Sequence, residues 1–236
     1  MQKIDLRKKE LDYRTREAYK NLRTNVELSG DNIKTIAITS CTPNEGKSSI
    51  SYELASSFAQ AGKKVLLIDA DLRKSVLIQR HHKGKVRLGL VHYLVGKYPL
   101  DEVICETDNK NLFMTFAGPV PPNPAELLGN KRFADMLEKT REEYDLVIID
   151  TPPLGSVIDS AIVAKQCDGS ILVIANAEIS YRFAQKVKDQ LDKTGCRILG
   201  CVLNKVNMTK SGKYGYYGRY YGKYYGKYYG QYYGNY

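Results

Sequence analysis

Gly46, Lys47 and Ser48 stand together after Cys41 and four open positions, inside the stretch KTIAITSCTPNEGKSS. A small residue, a short free run and Gly-Lys-Ser make a loop whose backbone N–H groups can turn inward onto phosphate oxygens. In such a P-loop the Lys47 ammonium reaches the β- and γ-phosphates of ATP as a point charge, and the Ser48 hydroxyl takes one position on Mg²⁺. The candidate nucleotide contacts are Thr42, Pro43, Asn44, Glu45, Gly46, Lys47, Ser48 and Ser49. Three carboxylates close apolar runs elsewhere: Asp69 and Asp71 in KKVLLIDADLR, and Asp150 in YDLVIIDTPP. Together with Lys47 these are the parts a phosphoryl-transfer site needs: charge neutralisation, a metal shell, and a group that orients or deprotonates the nucleophile. Ser48, Asp71 and Asp150 are read as the Mg²⁺ partners, directly or through water. Asp69 is favoured over Asp71 as general base. Arg73 can screen phosphate charge or fix the neighbouring acids.

The elements that must hold these residues follow from periodicity. Ile33 to Thr39 alternates branched apolar residues and reads as a strand, and Gly46 through Ala61 has the spacing of an amphipathic helix. The unbroken runs VLLID and LVIID fit strands buried on both faces of a parallel sheet. A helix is expected within DYRTREAYKNLRTNVELSG, and short helices at LGLVHYLVG and around PLDEVI. NLFMTFAG reads as a strand, and the proline-rich GPVPPNP as a fixed extended loop that feeds a helix from Pro124 to Tyr144. A helix from Asp159 to Cys167, a strand GSILVIAN, a helix from Ser180 to Lys193 and a strand CRILGCVLNKV complete the body. Such alternation predicts an α/β fold, a largely parallel sheet with helices on both faces, whose ligands sit beyond the carboxyl ends of the strands. Gly46, Asp69, Asp71 and Asp150 all fall at those ends.

The 236 residues suffice for one sizeable core, expected over residues 1–209, with residues 210–236 as a separate tail. No run of about 18 uncharged apolar residues and no signal peptide at MQKIDLRKKE is present, so a cytoplasmic chain is expected. Cys41, Cys105, Cys167, Cys196 and Cys201 lack CxxC spacing and read as reduced, buried thiols. His81, His82 and His92 have no ligand-like partners, so no metal site is built on them. Of the net charge of +10, half lies in the tail, which carries Lys210, Lys213, Arg219, Lys223 and Lys227 and no acid.

That tail repeats a unit of glycine, a basic or polar residue and two tyrosines. It holds twelve phenols, Tyr214, Tyr216, Tyr217, Tyr220, Tyr221, Tyr224, Tyr225, Tyr228, Tyr229, Tyr232, Tyr233 and Tyr236. With abundant glycine and no apolar period it reads as disordered. As a coil it would span roughly 28 Å root-mean-square. Water as phosphoryl acceptor would make the protein an ATPase or switch; a hydroxyl would make it a kinase.

The set TSCTPNEGKSS, VLLIDADLR, LVIIDTPP and a tyrosine-cluster tail resembles the bacterial tyrosine kinases, most closely the stand-alone CpsD-like kinases of Gram-positive capsule synthesis. GPVPPNPAELL is similar to a stretch of that family as well, and the likeness runs from about Tyr13 to Tyr236. The resemblance identifies Cys41 to Ser48 as Walker A, Leu66 to Arg73 as Walker A′ and Leu146 to Asp150 as Walker B. It implies ATP- and Mg²⁺-dependent autophosphorylation of the tail tyrosines in trans within a ring of subunits, in the service of capsular or exopolysaccharide synthesis and export. It also implies activation by a transmembrane adaptor that recruits the chain to the inner face of the membrane, and reversal by a cognate tyrosine phosphatase. The family's ring motif, Glu-x-x-Arg-x-x-Arg, maps onto Glu17, Lys20 and Arg23, with lysine in the middle. An ammonium makes no bidentate carboxylate contact, which weakens that part of the likeness. Asn44 stands where many relatives have glycine, a tolerable exchange because asparagine accepts positive φ.

Partition and cell-division ATPases, the alternative within the same fold, carry an extra lysine early in the P-loop where this chain has Thr42, and they leave the tail unexplained beyond a binding element. A tail that stacks on single-stranded nucleic acid is allowed by composition. It gives the acidic strand ends no role, so nucleic acid is not the expected partner.

Overall fold

The runs TIAITS, VLLID, LVIID and GSILVIA are buried almost throughout and have no polar face to present to water, so each has to be covered on both sides. The computed structural model describes residues 1–7, 10–82, 84 and 86–206. In chain order it begins β1 (Gln2–Ile4), α1 (Tyr13–Glu27), β2 (Thr35–Ser40), α2 (Lys47–Gln60), β3 (Val65–Asp69) and α3 (Leu77–His81). It continues α4 (Leu90–Leu94), α5 (Leu100–Val103), β4 (Cys105–Thr107), β5 (Leu112–Thr115), α6 (Pro124–Leu128) and α7 (Lys131–Glu143). It closes β6 (Leu146–Asp150), α8 (Asp159–Ala164), β7 (Gly169–Ala175), α9 (Tyr181–Asp192) and β8 (Arg197–Asn204).

The strands form one eight-stranded sheet in the order β1-β4-β5-β3-β6-β2-β7-β8. Every pairing is parallel except β4 with β5. Because successive side chains leave a strand on opposite faces, each central strand feeds two cores. Val65 and Leu67 of β3 and Leu146 and Ile148 of β6 pack with α1, α2 and α3 on one face. Leu66, Ile68, Val147 and Ile149 pack with α4 to α9 on the other. The α/β architecture with both faces covered is thus the one the alternation implies. Residues Met1–Asn204 form one compact unit. Among the described residues no helix is long and apolar enough to cross a membrane. The tyrosine tail lies outside the described residues.

Four expectations need correction. The charged start holds a strand, β1, which pairs with β4, itself unforeseen behind the short helix α5. Three-residue strands are too short to show a period, and both depend on partners distant in sequence. The helix expected from Pro124 to Tyr144 is two helices. Asn130 sits in extended conformation between them and its side chain accepts from the Phe133 N–H, capping α7. The helix expected to reach Cys167 stops at Ala164. Cys201 is exposed rather than buried, because β8 is an edge of the sheet.

Candidate active site

The turn from β2 into α2 is built to leave donors free. Gly46 caps α2 with φ 93° and brings no side chain to the cap, so the first N–H groups of the helix have no partner in the helix itself. The positive φ favours glycine here, and a Cβ at Gly46 would also stand 2.1 Å from Asn204 Nδ2 and displace that side chain. Asn44 takes φ 67°, the left-handed conformation that asparagine tolerates and glycine would take more easily. The loop is braced from beneath by Glu45, fully buried, whose carboxylate accepts the Thr42 N–H at 2.7 Å and the Ala175 N–H at 3.1 Å. The glutamate side chain is therefore a strut of the cradle. Pro43 and Asn44 are exposed at its lip, and Ser49 accepts from Arg80 at 3.2 Å.

Lys47, 9% exposed, points to the acidic strand ends: its Nζ lies 3.3 Å from Asp71 Oδ2 and donates to Ser48 Oγ at 3.3 Å. Asp69 and Asp150 are register partners at the last paired position of β3 and β6. Beyond Asp69 the chain turns. Asp71 N–H donates back to Asp69 Oδ1 at 3.3 Å, Lys74 N–H donates to Asp71 Oδ1 at 3.0 Å, and the Ser75 hydroxyl donates to Asp69 Oδ2. This bend lets two acids spaced by one residue share a site. Asp150 accepts from the Ser51 hydroxyl at 3.0 Å. Burial pushes the Asp69 carboxyl up to about 8, with Asp150 and Asp71 adding to the rise and Ser75 and Lys47 opposing it. Burial likewise raises Asp150 against the pull of Lys47, Ser48 and Ser51. A raised proton affinity is what a general base requires.

Among the described residues no group of three or more His, Cys, Asp or Glu is set to enclose a metal by itself. Mg²⁺ does not need one. It keeps water, takes one or two carboxylates and completes its shell with phosphate oxygens. Ser48, Asp71 and Asp150, hard oxygen donors beside the N–H groups of the first turn of α2, fit a Mg²⁺–nucleotide complex.

Other candidates lie elsewhere. Arg73 forks onto Asp159, Nε to Oδ2 at 2.8 Å and Nη2 to Oδ1 at 3.0 Å. On α1, Lys20 pairs with Glu17 at 2.8 Å and Arg23 donates to the Ser57 carbonyl of α2 at 3.0 Å. Beside them a cavity of about 560 Å³ is lined by Arg16, Tyr19 and Lys20 of α1 and by Tyr52, Glu53 and Ser57 of α2, among others, and by none of the P-loop or strand-end acids. Sequence reasoning missed Ser51, Ser75, Asp159 and Asn204, which donates to the Glu45 carbonyl at 2.8 Å. Ser51, one helical turn beyond Lys47, carried a readable signal; Ser75 depends on the bend after Asp69, and Asp159 and Asn204 meet the site through tertiary contacts alone.

The comparisons with known proteins agree with this geometry. A family model described as "AAA domain" matches residues 33–194. The chain is 44% identical over 222 residues to the tyrosine-protein kinase CpsD of Streptococcus pneumoniae, covering 92% of this chain and 98% of that one. It is 39% identical over 204 residues to the tyrosine-protein kinase YwqD of Bacillus subtilis, covering 86% of each. Among solved structures the kinase domain of the Escherichia coli tyrosine kinase ETK superposes with a TM-score of 0.78 at 35% identity, over 84% of this chain and 78% of that one. A P-loop followed by three clustered acids, in a chain that matches tyrosine-protein kinases over nearly its whole length, places this protein in one family: it belongs to the bacterial tyrosine-protein kinases.

Proposed function

We propose that the protein binds Mg²⁺–ATP in the Thr42–Ser49 loop and transfers the γ-phosphoryl group to tyrosines of the 210–236 tail of a neighbouring copy. The observation that carries this reading is the convergence of Lys47, Asp71, Asp69 and Asp150 at adjacent strand ends beside the loop. Lys47 and the loop N–H groups hold the phosphates, while Ser48, Asp71 and Asp150 serve the metal, which supplies charge neutralisation on the transferring group. As the tyrosine Oη bonds to the γ-phosphorus and the bridging bond to the β-phosphate breaks, Asp69 takes the phenolic proton. ADP leaves. Arg73 is assigned to positioning rather than to phosphate.

Transfer in trans asks for an oligomer. The ring is supported by Glu17, Lys20 and Arg23 on α1 and by the mixed-charge cavity beside them, on which a neighbouring subunit is expected to dock. The likeness to the CpsD kinases supports a role in capsular or exopolysaccharide synthesis, a membrane adaptor as activator that holds this chain at the inner face of the membrane, and a tyrosine phosphatase as antagonist. The body is taken as residues 1–209 and the substrate tail as residues 210–236.

The test is incubation of the full chain with γ-labelled ATP and Mg²⁺, with and without an adaptor's cytoplasmic segment, and mapping of label by mass spectrometry against Lys47→Met. Label on tail tyrosines that disappears in the variant is expected. ATP hydrolysis without labelled tyrosine, adaptor present, would overturn the kinase reading in favour of a switch ATPase.

A further inference from the structure

The turn after Asp69 is tied to the start of α8 through an ion pair whose carboxylate is buried. Asp159, the first residue of α8, has no exposed side-chain surface, and both its oxygens are taken by the Arg73 guanidinium, which is itself 41% exposed. A carboxylate with no access to water must be paired, and a fork of two charge-assisted bonds also fixes direction. The pair joins two neighbouring connections. Arg73 lies in the turn after β3 and Asp159 opens the helix after β6, the two strands whose last paired residues are Asp69 and Asp150. Within the turn the remaining side-chain bonds are local, Asp71 N–H to Asp69, Lys74 N–H to Asp71 and Ser75 to Asp69. They shape the turn without fixing it to α8.

We propose that Arg73 and Asp159 act as one positioning unit: the fork holds the β3 turn against α8 so that Asp71 and Asp69 face Lys47, and Arg73 does not contact ATP. If Arg73 swung to a phosphate, both oxygens of the fully buried Asp159 would lose the donors that satisfy them, which is why the geometry favours positioning. The inference rests on the assignment of this cluster as the phosphoryl-transfer site.

The full chain is compared with Arg73→Lys, Asp159→Asn and the double variant, reading ATP turnover, label on tyrosine and melting temperature. Lysine keeps the charge but cannot fork. Each single change is expected to lower kcat about ten- to a hundredfold, the scale of a misplaced reacting group. Any change in the KM for ATP should be alike in the two single variants, and the double variant should fall no further, as expected for two residues acting as one. A KM for ATP raised about tenfold in Arg73→Lys alone would identify a phosphate contact and overturn the proposal. So would wild-type kcat with only a lower melting temperature. ATP turnover reports the coupling whichever group accepts the phosphoryl, so a failure of tyrosine labelling alone counts against the kinase reading of the tail and not against the pair.

Discussion

Glu45 shows how a residue chosen for one role can fill another. Its place in the P-loop suggests a nucleotide contact through the backbone, and its carboxylate has a second task, accepting two backbone N–H groups, from Thr42 and Ala175, and so linking the loop to the end of β7. Glutamine in its place offers one acceptor oxygen and an NH₂ group, leaving one buried N–H facing a donor. An unmet buried donor costs about 1–3 kcal/mol. Glu45→Gln is therefore expected to weaken ADP binding about tenfold, roughly 1.4 kcal/mol, with a lower melting temperature. Titration calorimetry reads the first and would show an unchanged affinity if Glu45 did not shape the cradle. Lys47, Ser48 and the three strand-end aspartates were legible because their spacing and their place after apolar runs are properties of the chain itself. Ser75 and Asp159 were not, since Ser75 reaches Asp69 only through the shape of the bend between them and Asp159 matters for the arginine it holds across the fold.

At the amino end of β2, opposite the site, Asp168 gathers the Lys34 and Thr35 N–H groups, the Thr35 hydroxyl and Arg141 Nη1, the last at 2.7 Å. Burial alone would raise its carboxyl, but these hydrogen bonds outweigh burial and hold it below the ordinary 3.8. With the folded value below the unfolded one, the unfolded chain binds more protons between the two. The contribution is fully present above the unfolded value and is lost as pH falls through the folded one. Asp168→Asn should thus melt below the wild type at pH 7, and the gap should shrink as the pH falls below 3.8. A gap that stayed constant with pH would refute the assignment. The same element contrast explains what the sequence concealed. β2, β3, β6 and β7 declare themselves by buried apolar runs, whereas β1 and β4 exist only because they pair with each other and β5. The break between α6 and α7 hangs on one capping side chain, Asn130, within an otherwise helical composition.

For the molecule as a whole, charge is the property that a kinase of its own tail would change most. The tail carries five of the ten excess positive charges, and its substrate tyrosines would dock beside strand-end acids of a neighbour. Each phosphotyrosine adds about −1.5 to −2 charges, so twelve would carry the tail from +5 to roughly −13 or lower. A tail attracted to acidic sites in its unmodified form is then repelled from them, and the surface by which copies meet is left to hold alone. On the proposed reading that surface would include Lys20, a point charge already paired with Glu17, where a bidentate arginine would grip more firmly. Phosphorylation is accordingly expected to disperse the assembly and phosphatase treatment to restore it. Light scattering on the full chain before and after phosphatase measures this directly: a larger mass after treatment supports the switch, and identical masses would separate phosphorylation from assembly and leave the tail's charge with no part in holding the ring.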